Sequence, residues 1–233
     1  MVGGLASMIF KEIQMDLPFI NNDAISNDES VEMYQRTWKE KRRQFQLCTR
    51  CMTSMVERIM PKINTENYWK IIIECVEQSP RLECINLLGV LSVQVVFDVI
   101  SFFEMNNYEK KKYVISKVIE IINRLSDDGF SELNELKQTC DTIIKSDYMN
   151  EWFWKKPIKN KGKTVQIKVA HEVDKASIYM VFKDDEKIKE VLLVEDVPDE
   201  WAYSRYLGKL EWASEDSAQL ITKEGAILSG RIL

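Results

Sequence analysis

Two cysteines form the first residue pair whose spacing could carry chemistry. Cys48 and Cys51 make a C-x-x-C motif. Such a motif holds zinc when a second pair with similar spacing is present, and it is redox-active when it follows a strand in a βαβ unit. Eight residues separate Cys75 from Cys84, and Cys48 falls inside a predicted long helix. We therefore interpret the motif as a pair of structural thiols.

The cysteine count points to a compartment. The chain has five cysteines, an odd number, each in an apolar, helix-like segment. A secreted disulfide framework normally has an even number of cysteines placed between loops. We expect reduced cysteines and a cytoplasmic protein.

The single histidine is the obvious candidate for a general base. His171 stands beside Glu172 and near Asp174, and histidine titrates near neutral pH. The chain contains no Gly-x-Ser-x-Gly elbow for a Ser-His-Asp triad, and no Pro-Cys-x-x-Cys follows to complete a zinc deaminase site. His171 is therefore predicted to be an ordinary surface residue on a strand.

Carboxylates offer a second route to catalysis. The densest set comprises Asp184, Asp185, Glu186, Glu195, Asp196, Asp199 and Glu200. These acids would support metal-dependent hydrolysis only if they converged on one pocket. An enzyme with such a carboxylate-based site, joined by His171, is an alternative hypothesis. The two common glycine-rich nucleotide motifs are absent from the sequence, and we predict no catalytic residue, no metal and no cofactor.

A basic segment follows the aromatic run Trp152-Phe153-Trp154. The segment runs from Lys155 to Lys168 and contains no acid. Its six lysines are Lys155, Lys156, Lys159, Lys161, Lys163 and Lys168. Lysines beside aromatic rings can hold phosphates and stacked bases, so nucleic-acid binding is a further alternative. The net charge of −5 and the pI near 5.2 make nucleic acid an improbable partner, because dedicated binders are usually basic.

The charge balance reverses further along the chain. From Lys183 to Glu224 there are twelve acids against six bases. The candidate partner-binding residues are Glu195, Asp196, Asp199, Glu200, Trp201, Tyr203, Tyr206 and Trp212. Aromatic residues ringed by acids are typical of a protein-binding hot spot. The aromatic residues from Trp201 to Tyr206 could instead belong to the core, alternating in a strand or sharing a helical turn.

The elements that position these residues are predicted to be helical first and β-rich second. Apolar spacing of three and four predicts about five helices, over 29–60, 65–78, 80–105, 108–125 and 131–146. Beyond Trp154 the period changes to two, which predicts short antiparallel strands. The expected fold is α+β, with an N-terminal helical bundle over residues 1–150 followed by a small antiparallel sheet over 151–233, which could pack with the helices as one domain.

These features lead to one functional hypothesis. We expect a non-catalytic intracellular protein-binding module whose acidic, aromatic face engages a basic protein. One concrete form is a bacterial immunity protein that neutralises a cognate toxin, a class that this chain resembles only in its layout. The most apolar run, from Leu82 to Phe103, is interrupted by Asn86, Gln94 and Asp98, so no membrane association is expected.

Overall fold

The computed structural model describes residues 7–19, 27–78, 80–185 and 187–232. By its internal contacts the chain divides into two compact units, residues 1–149 and 150–233. None of the described helices has the length and apolar character needed to cross a membrane.

The first unit is organised around a mixed four-stranded sheet. The first unit contains six strands in the described residues, of which four form this sheet. They are β1 (Met8–Ile9), β2 (Glu12–Asp16), β3 (Asn64–Thr65), β4 (Lys70–Val76), β5 (Ile85–Leu87) and β6 (Val90–Val96). The order in the four-stranded sheet is β2-β4-β6-β5. β4 runs parallel to both of its neighbours, whereas β5 pairs antiparallel with β6. β1 and β3 form a separate antiparallel pair.

Helices provide the connections and cover one face of this sheet. They are α1 (Asn27–Met33), a π-helical segment (Tyr34–Trp38), α2 (Lys39–Ile59), α3 (Val99–Glu104), α4 (Asn107–Asp127) and α5 (Asn134–Lys145). Parallel strands need a crossover connection, and α2 lies on the crossover from β2 to β4. α2 packs against β2, α4 and α5, and α4 also contacts β6. Asn106 and Glu109 start α4 with reciprocal side-chain-to-backbone bonds, which satisfy two of its free N–H groups.

The core of the first unit follows from the alternation of side chains along its strands. Ile71 and Ile73 on β4 are 1% and 0% exposed, and Leu91 and Val93 on β6 are equally buried. The intervening residues, such as Ile72, point to the other face and are only half-buried. A period of two is the pattern of a strand with one covered face.

The second unit consists of two antiparallel sheets. The first, in the order β10-β9-β8-β7, contains β7 (Glu151–Asn160), β8 (Lys163–His171), β9 (Ala176–Asp184) and β10 (Lys187–Asp196). A short helix, α6 (Glu200–Tyr203), leads through a 3₁₀ turn (Ser204–Tyr206) into the second sheet. That sheet contains β11 (Lys209–Trp212), β12 (Ser217–Ile221) and β13 (Ile227–Arg231).

Apolar side chains of both sheets form the core of this unit. Ile167, Ile178 and Met180 from the four-stranded sheet cluster with Leu220 from the smaller sheet, and all four are fully buried. Gly230 on β13 lies close to the other sheet, because a Cβ atom there would be 2.9 Å from the sulfur of Met180 and would force that side chain to shift. The two sheets are therefore in close contact at that point.

The predicted fold class is wrong in both halves. Strand β4 occupies the segment predicted as a helix over 65–78, and β5 and β6 occupy most of the segment predicted as a helix over 80–105. The N-terminal part is thus a mixed α/β unit and not a bundle of five helices. The C-terminal part holds two sheets where one was expected.

Neighbouring isoleucines on β4 should differ sharply in their contribution to stability. We expect Ile73→Ala to lower the free energy of unfolding by about 2–5 kcal/mol, because it leaves a cavity in the core. Ile72→Ala should cost about 1 kcal/mol, because its side chain faces the half-exposed side. Guanidinium unfolding followed by circular dichroism measures both values. Equal losses of unfolding free energy for the two variants would contradict the assignment of β4 as a strand with one buried face.

Candidate functional site

The residues predicted to bind a partner lie where β10 leads into α6. Asp196 ends β10, and Asp199 precedes the first residue of α6. Asp199 has an extended backbone, and its carboxylate accepts an N–H bond from Trp201 at 3.0 Å. Aspartate is one of the preferred residues at this capping position, which explains why a helix of only four residues begins here.

Trp201 is the outstanding feature of this segment. Its side chain is 88% exposed, whereas the other five tryptophans are half-buried. Val197, four residues earlier, is 42% exposed. Burial of a large apolar side chain is worth about 3 kcal/mol, so the folded chain forgoes that stabilisation at Trp201. We define the Trp201 surface as Val197, Asp199, Glu200 and Trp201.

Tyr203 has a different role from Trp201. It is 2% exposed and belongs to the core cluster of the second unit. Its hydroxyl lies 3.3 Å from Nδ1 of His171, and the two rings meet edge to face with centroids 5.5 Å apart. Tyr203 therefore anchors α6 to the sheet. His171 is 0% exposed, so the prediction that it is a surface residue is wrong.

Two further aromatic candidates are partly buried. Trp212 packs against Phe182, with ring centroids 5.9 Å apart. The Tyr206 hydroxyl donates to Oδ2 of Asp196 at 3.0 Å, and Arg205 donates to the same oxygen at 2.9 Å. The guanidinium of Arg205 also lies 4.9 Å from the Tyr206 ring centre. Of the predicted aromatic set, Trp201 alone presents most of its ring to solvent.

The carboxylates of the acidic stretch are held in distinct ways. Burial acts to raise the pKa of Asp196, but hydrogen bonds from the Val197 backbone, Tyr206 and Arg205 outweigh it, and the pKa falls below its ordinary value. The ammonium of Lys175, 2.5 Å away, and then the hydroxyl of Ser177 lower the pKa of Glu195. Glu195 and Asp196 thus stabilise the end of β10.

The predicted basic patch is interrupted by acids from β10 and from the turn between β11 and β12. Three of its lysines make ion pairs, which are Lys161 with Glu215, Lys163 with Asp216 and Lys168 with Glu190. The ammonium of Lys155 lies 4.0 Å from the centre of the Trp154 ring. Lys156 and Lys159 are exposed on β7. Paired lysines present less net charge to a phosphate backbone than the sequence suggests.

The acids proposed for an enzyme site are spread over several elements. The carboxylate of Asp184 lies 3.9 Å from the ammonium of Lys163 at one end of the sheet, and Glu195 pairs with Lys175 in the turn between β8 and β9. Glu186 lies outside the described residues. Over the ranges that the structure describes, no group of three or more His, Cys, Asp or Glu side chains is placed to hold a metal ion. The C-x-x-C motif lies within α2, where Cys51 is fully buried.

Comparison of the chain with protein-family models, with curated proteins and with solved structures finds no match in any of the three. The candidate site therefore rests on its own geometry. Sequence reasoning missed Val197, although its place directly before Pro198 at the end of a strand could have marked it as a turn residue. It also missed Arg205, whose bond to Asp196 fixes the approach to α6.

The link between Asp196 and its donors predicts a pH-dependent contribution to stability. The folded pKa of Asp196 lies below the unfolded value of about 3.9. Its stabilisation should be fully present above about pH 4 and should disappear as the pH falls through the folded pKa. We expect Asp196→Asn to lower the free energy of unfolding by about 1 kcal/mol at pH 6.

Denaturant titrations of the wild type and Asp196→Asn between pH 2 and pH 7 measure this difference. Asp185→Asn is the matched control, because Asp185 is exposed in the turn after β9. It should leave the stability curve unchanged. A difference between wild type and Asp196→Asn that grew towards low pH would refute the assignment.

Proposed function

We propose that the chain is a non-catalytic protein-binding module that contacts a basic protein through the Trp201 surface. The observation that carries this proposal is the 88% exposure of Trp201. Tryptophan is enriched among the few interface residues that supply most of the binding energy. A ring that the fold leaves in water gains its burial only when a partner covers it.

The surroundings of Trp201 support this role because they hold the backbone at Trp201 in place before binding. Asp199 caps α6 on the N-terminal side of Trp201, and buried Tyr203 fixes the helix on the other side. An interface residue on a fixed backbone loses less conformational freedom on binding than one in a mobile loop. Trp201 is therefore exposed on a backbone that is already ordered before binding.

The charge around the ring selects the type of partner. Carboxylates of Asp199 and Glu200 are adjacent to Trp201 in the chain, and the region from Lys183 to Glu224 has a net charge of −6 from its twelve acids and six bases. A lysine or arginine of a partner can stack on the face of an exposed tryptophan while it approaches these carboxylates. Complementary charge also speeds association at low ionic strength.

Toxin neutralisation is a finer form of the same function. An acidic immunity protein would bind a basic toxin at a 1:1 ratio and block its activity. Support for this form would come from a retained partner that is toxic when produced alone and inactive when mixed with an equimolar amount of this chain. A partner without such activity would leave protein binding in place and reject toxin immunity.

Replacement of Trp201 should weaken partner binding without affecting the fold. Lysate of the native source is passed over three immobilised proteins, which are wild type, Trp201→Ala and Phe153→Ala. The protein that wild type retains is then purified, and its affinity for each of the three is measured by calorimetry. We expect Trp201→Ala to weaken binding about 30-fold, which corresponds to a hot-spot loss of about 2 kcal/mol. Phe153, on the four-stranded sheet, is 53% exposed and is the matched control.

The expected pattern also includes salt dependence. Wild-type affinity should fall between 50 and 200 mM salt, because the partner is basic and surface charges are screened. Unchanged melting temperatures would show that both variants fold. Equal retention by all three baits, or retention of nothing by wild type, would reject the Trp201 surface.

A further inference from the structure

A cavity of about 500 Å³ lies at the carboxyl ends of the parallel strands in the first unit. The residues that follow each strand contribute to its wall, namely Leu17, Pro18 and Phe19 after β2, Glu77 and Gln78 after β4, and Val99 after β6. Trp38 and Lys41 complete it from the helical side. We call this feature the carboxyl-end cavity.

We propose that the carboxyl-end cavity binds a small aromatic anion. In open α/β sheets, ligands bind in the crevice outside the carboxyl ends of the strands. Ligand sites typically enclose about 300–1,000 Å³ and combine apolar walls with a few polar groups. The cavity lies outside the carboxyl ends of three parallel strands, and its volume and mixed lining fall within this range.

Its apolar walls include two aromatic rings that are fixed in orientation. Trp38 and Phe19 meet edge to face, with ring centroids 6.1 Å apart. The indole N–H of Trp38 donates to the carbonyl oxygen of Leu17 at 3.3 Å, which ties the ring to the end of β2. Trp38 also ends a π-helical segment, a geometry that is frequent at functional sites. Edge-to-face or stacked contact with these rings favours a planar aromatic ligand.

Among the described residues that line the cavity, Lys41 is the one cation. Lys41 follows Trp38 by three residues on the same helical face, and its ammonium lies 5.2 Å from the centre of the Trp38 ring. Lys41 is half-buried, whereas Glu77, the acid in the wall, is exposed. Solvent screens an exposed charge more strongly than a partly buried one. Lys41 is therefore screened less than Glu77, and its ammonium can attract an anionic group.

The thiol in the wall is suited to packing and not to covalent capture. Cys75 on β4 is 4% exposed, and burial together with the nearby Asp16 carboxylate raises its pKa well above the ordinary value. A thiol that stays protonated is a poor nucleophile. The interaction proposed here is thus reversible binding.

A second cavity of the same unit provides a matched control. It measures about 480 Å³ and is lined by Lys112, Tyr113, Ile115 and Ile119 on α4 and by Ile144 on α5. Lys112 also places its ammonium over an aromatic ring, 5.5 Å from the centre of Tyr108. This helical cavity has similar size and chemistry but lies away from the strand ends.

Fluorescence titration of the full chain with two probes tests the proposal. The first is 1-anilinonaphthalene-8-sulfonate, an aromatic anion, and the second is N-phenyl-1-naphthylamine, its neutral analogue. We expect one saturable site for the anionic probe. Lys41→Gln should weaken the anionic probe about fivefold, which is the range for a partly exposed charge pair, and should leave the neutral probe unchanged.

Two further variants locate the site. Val76→Phe should eliminate binding of both probes by filling the carboxyl-end cavity, and Lys112→Gln should alter neither. Because Lys41→Gln changes a partly exposed side chain, its result stands even if Val76→Phe fails to fold. Unchanged affinity of the anionic probe in Lys41→Gln, or a loss caused by Lys112→Gln instead, would overturn the proposal. Neither outcome bears on the Trp201 surface, which lies in the other unit.

Discussion

The first unit depends on the position of β4 inside its sheet. A central strand must satisfy its backbone N–H and C=O groups on both edges and cover at least one face, and β4 does so between β2 and β6, with Ile71 and Ile73 buried beneath the helices. Parallel pairing with β2 forces a long crossover, which α2 supplies. Parallel pairing of β4 with both β2 and β6 places the carboxyl ends of three strands at one edge, where the cavity forms.

The second unit is held together by a different kind of contact, between two sheets. Two antiparallel sheets need no crossover, and their core is closed by direct contact, as the approach of Gly230 to Met180 shows. This framework holds the short helix α6 through Tyr203 on its inner side and through Asp199 at its start. A rigid scaffold of this kind can display one apolar ring in water, because the remaining apolar side chains already supply the stability of the fold.

The sequence allowed correct prediction of the long helices but not of the strands between them. Residues such as Val114, Val118 and Ile121 repeat at helical spacing and are buried on α4. The alternation in β4 was hidden because Ile72, on the half-exposed face, is apolar too.

Two hairpin turns also lacked the usual sequence signal. The turn from β5 to β6 is Leu88-Gly89 and the turn from β7 to β8 is Lys161-Gly162, and both residues of each turn have a positive φ. The usual sequence signal for this turn is Asn-Gly or Asp-Gly.

The sequence did not show which of Trp201 and Tyr203 is buried, because it left open whether this segment is a strand or a helix. In the helix that forms, residues two apart face different directions, so Tyr203 is buried and Trp201 is exposed.

The most direct test of the functional claim is a ¹⁵N–¹H correlation spectrum of the six tryptophan indoles, recorded before and after addition of the protein that wild type retains. The Trp201 signal is identified by its loss in Trp201→Phe. Binding through the Trp201 surface predicts that this signal shifts or broadens while those of Trp38 and Trp212 stay in place. A Trp201 signal that is unchanged when the complex forms would contradict the proposed function.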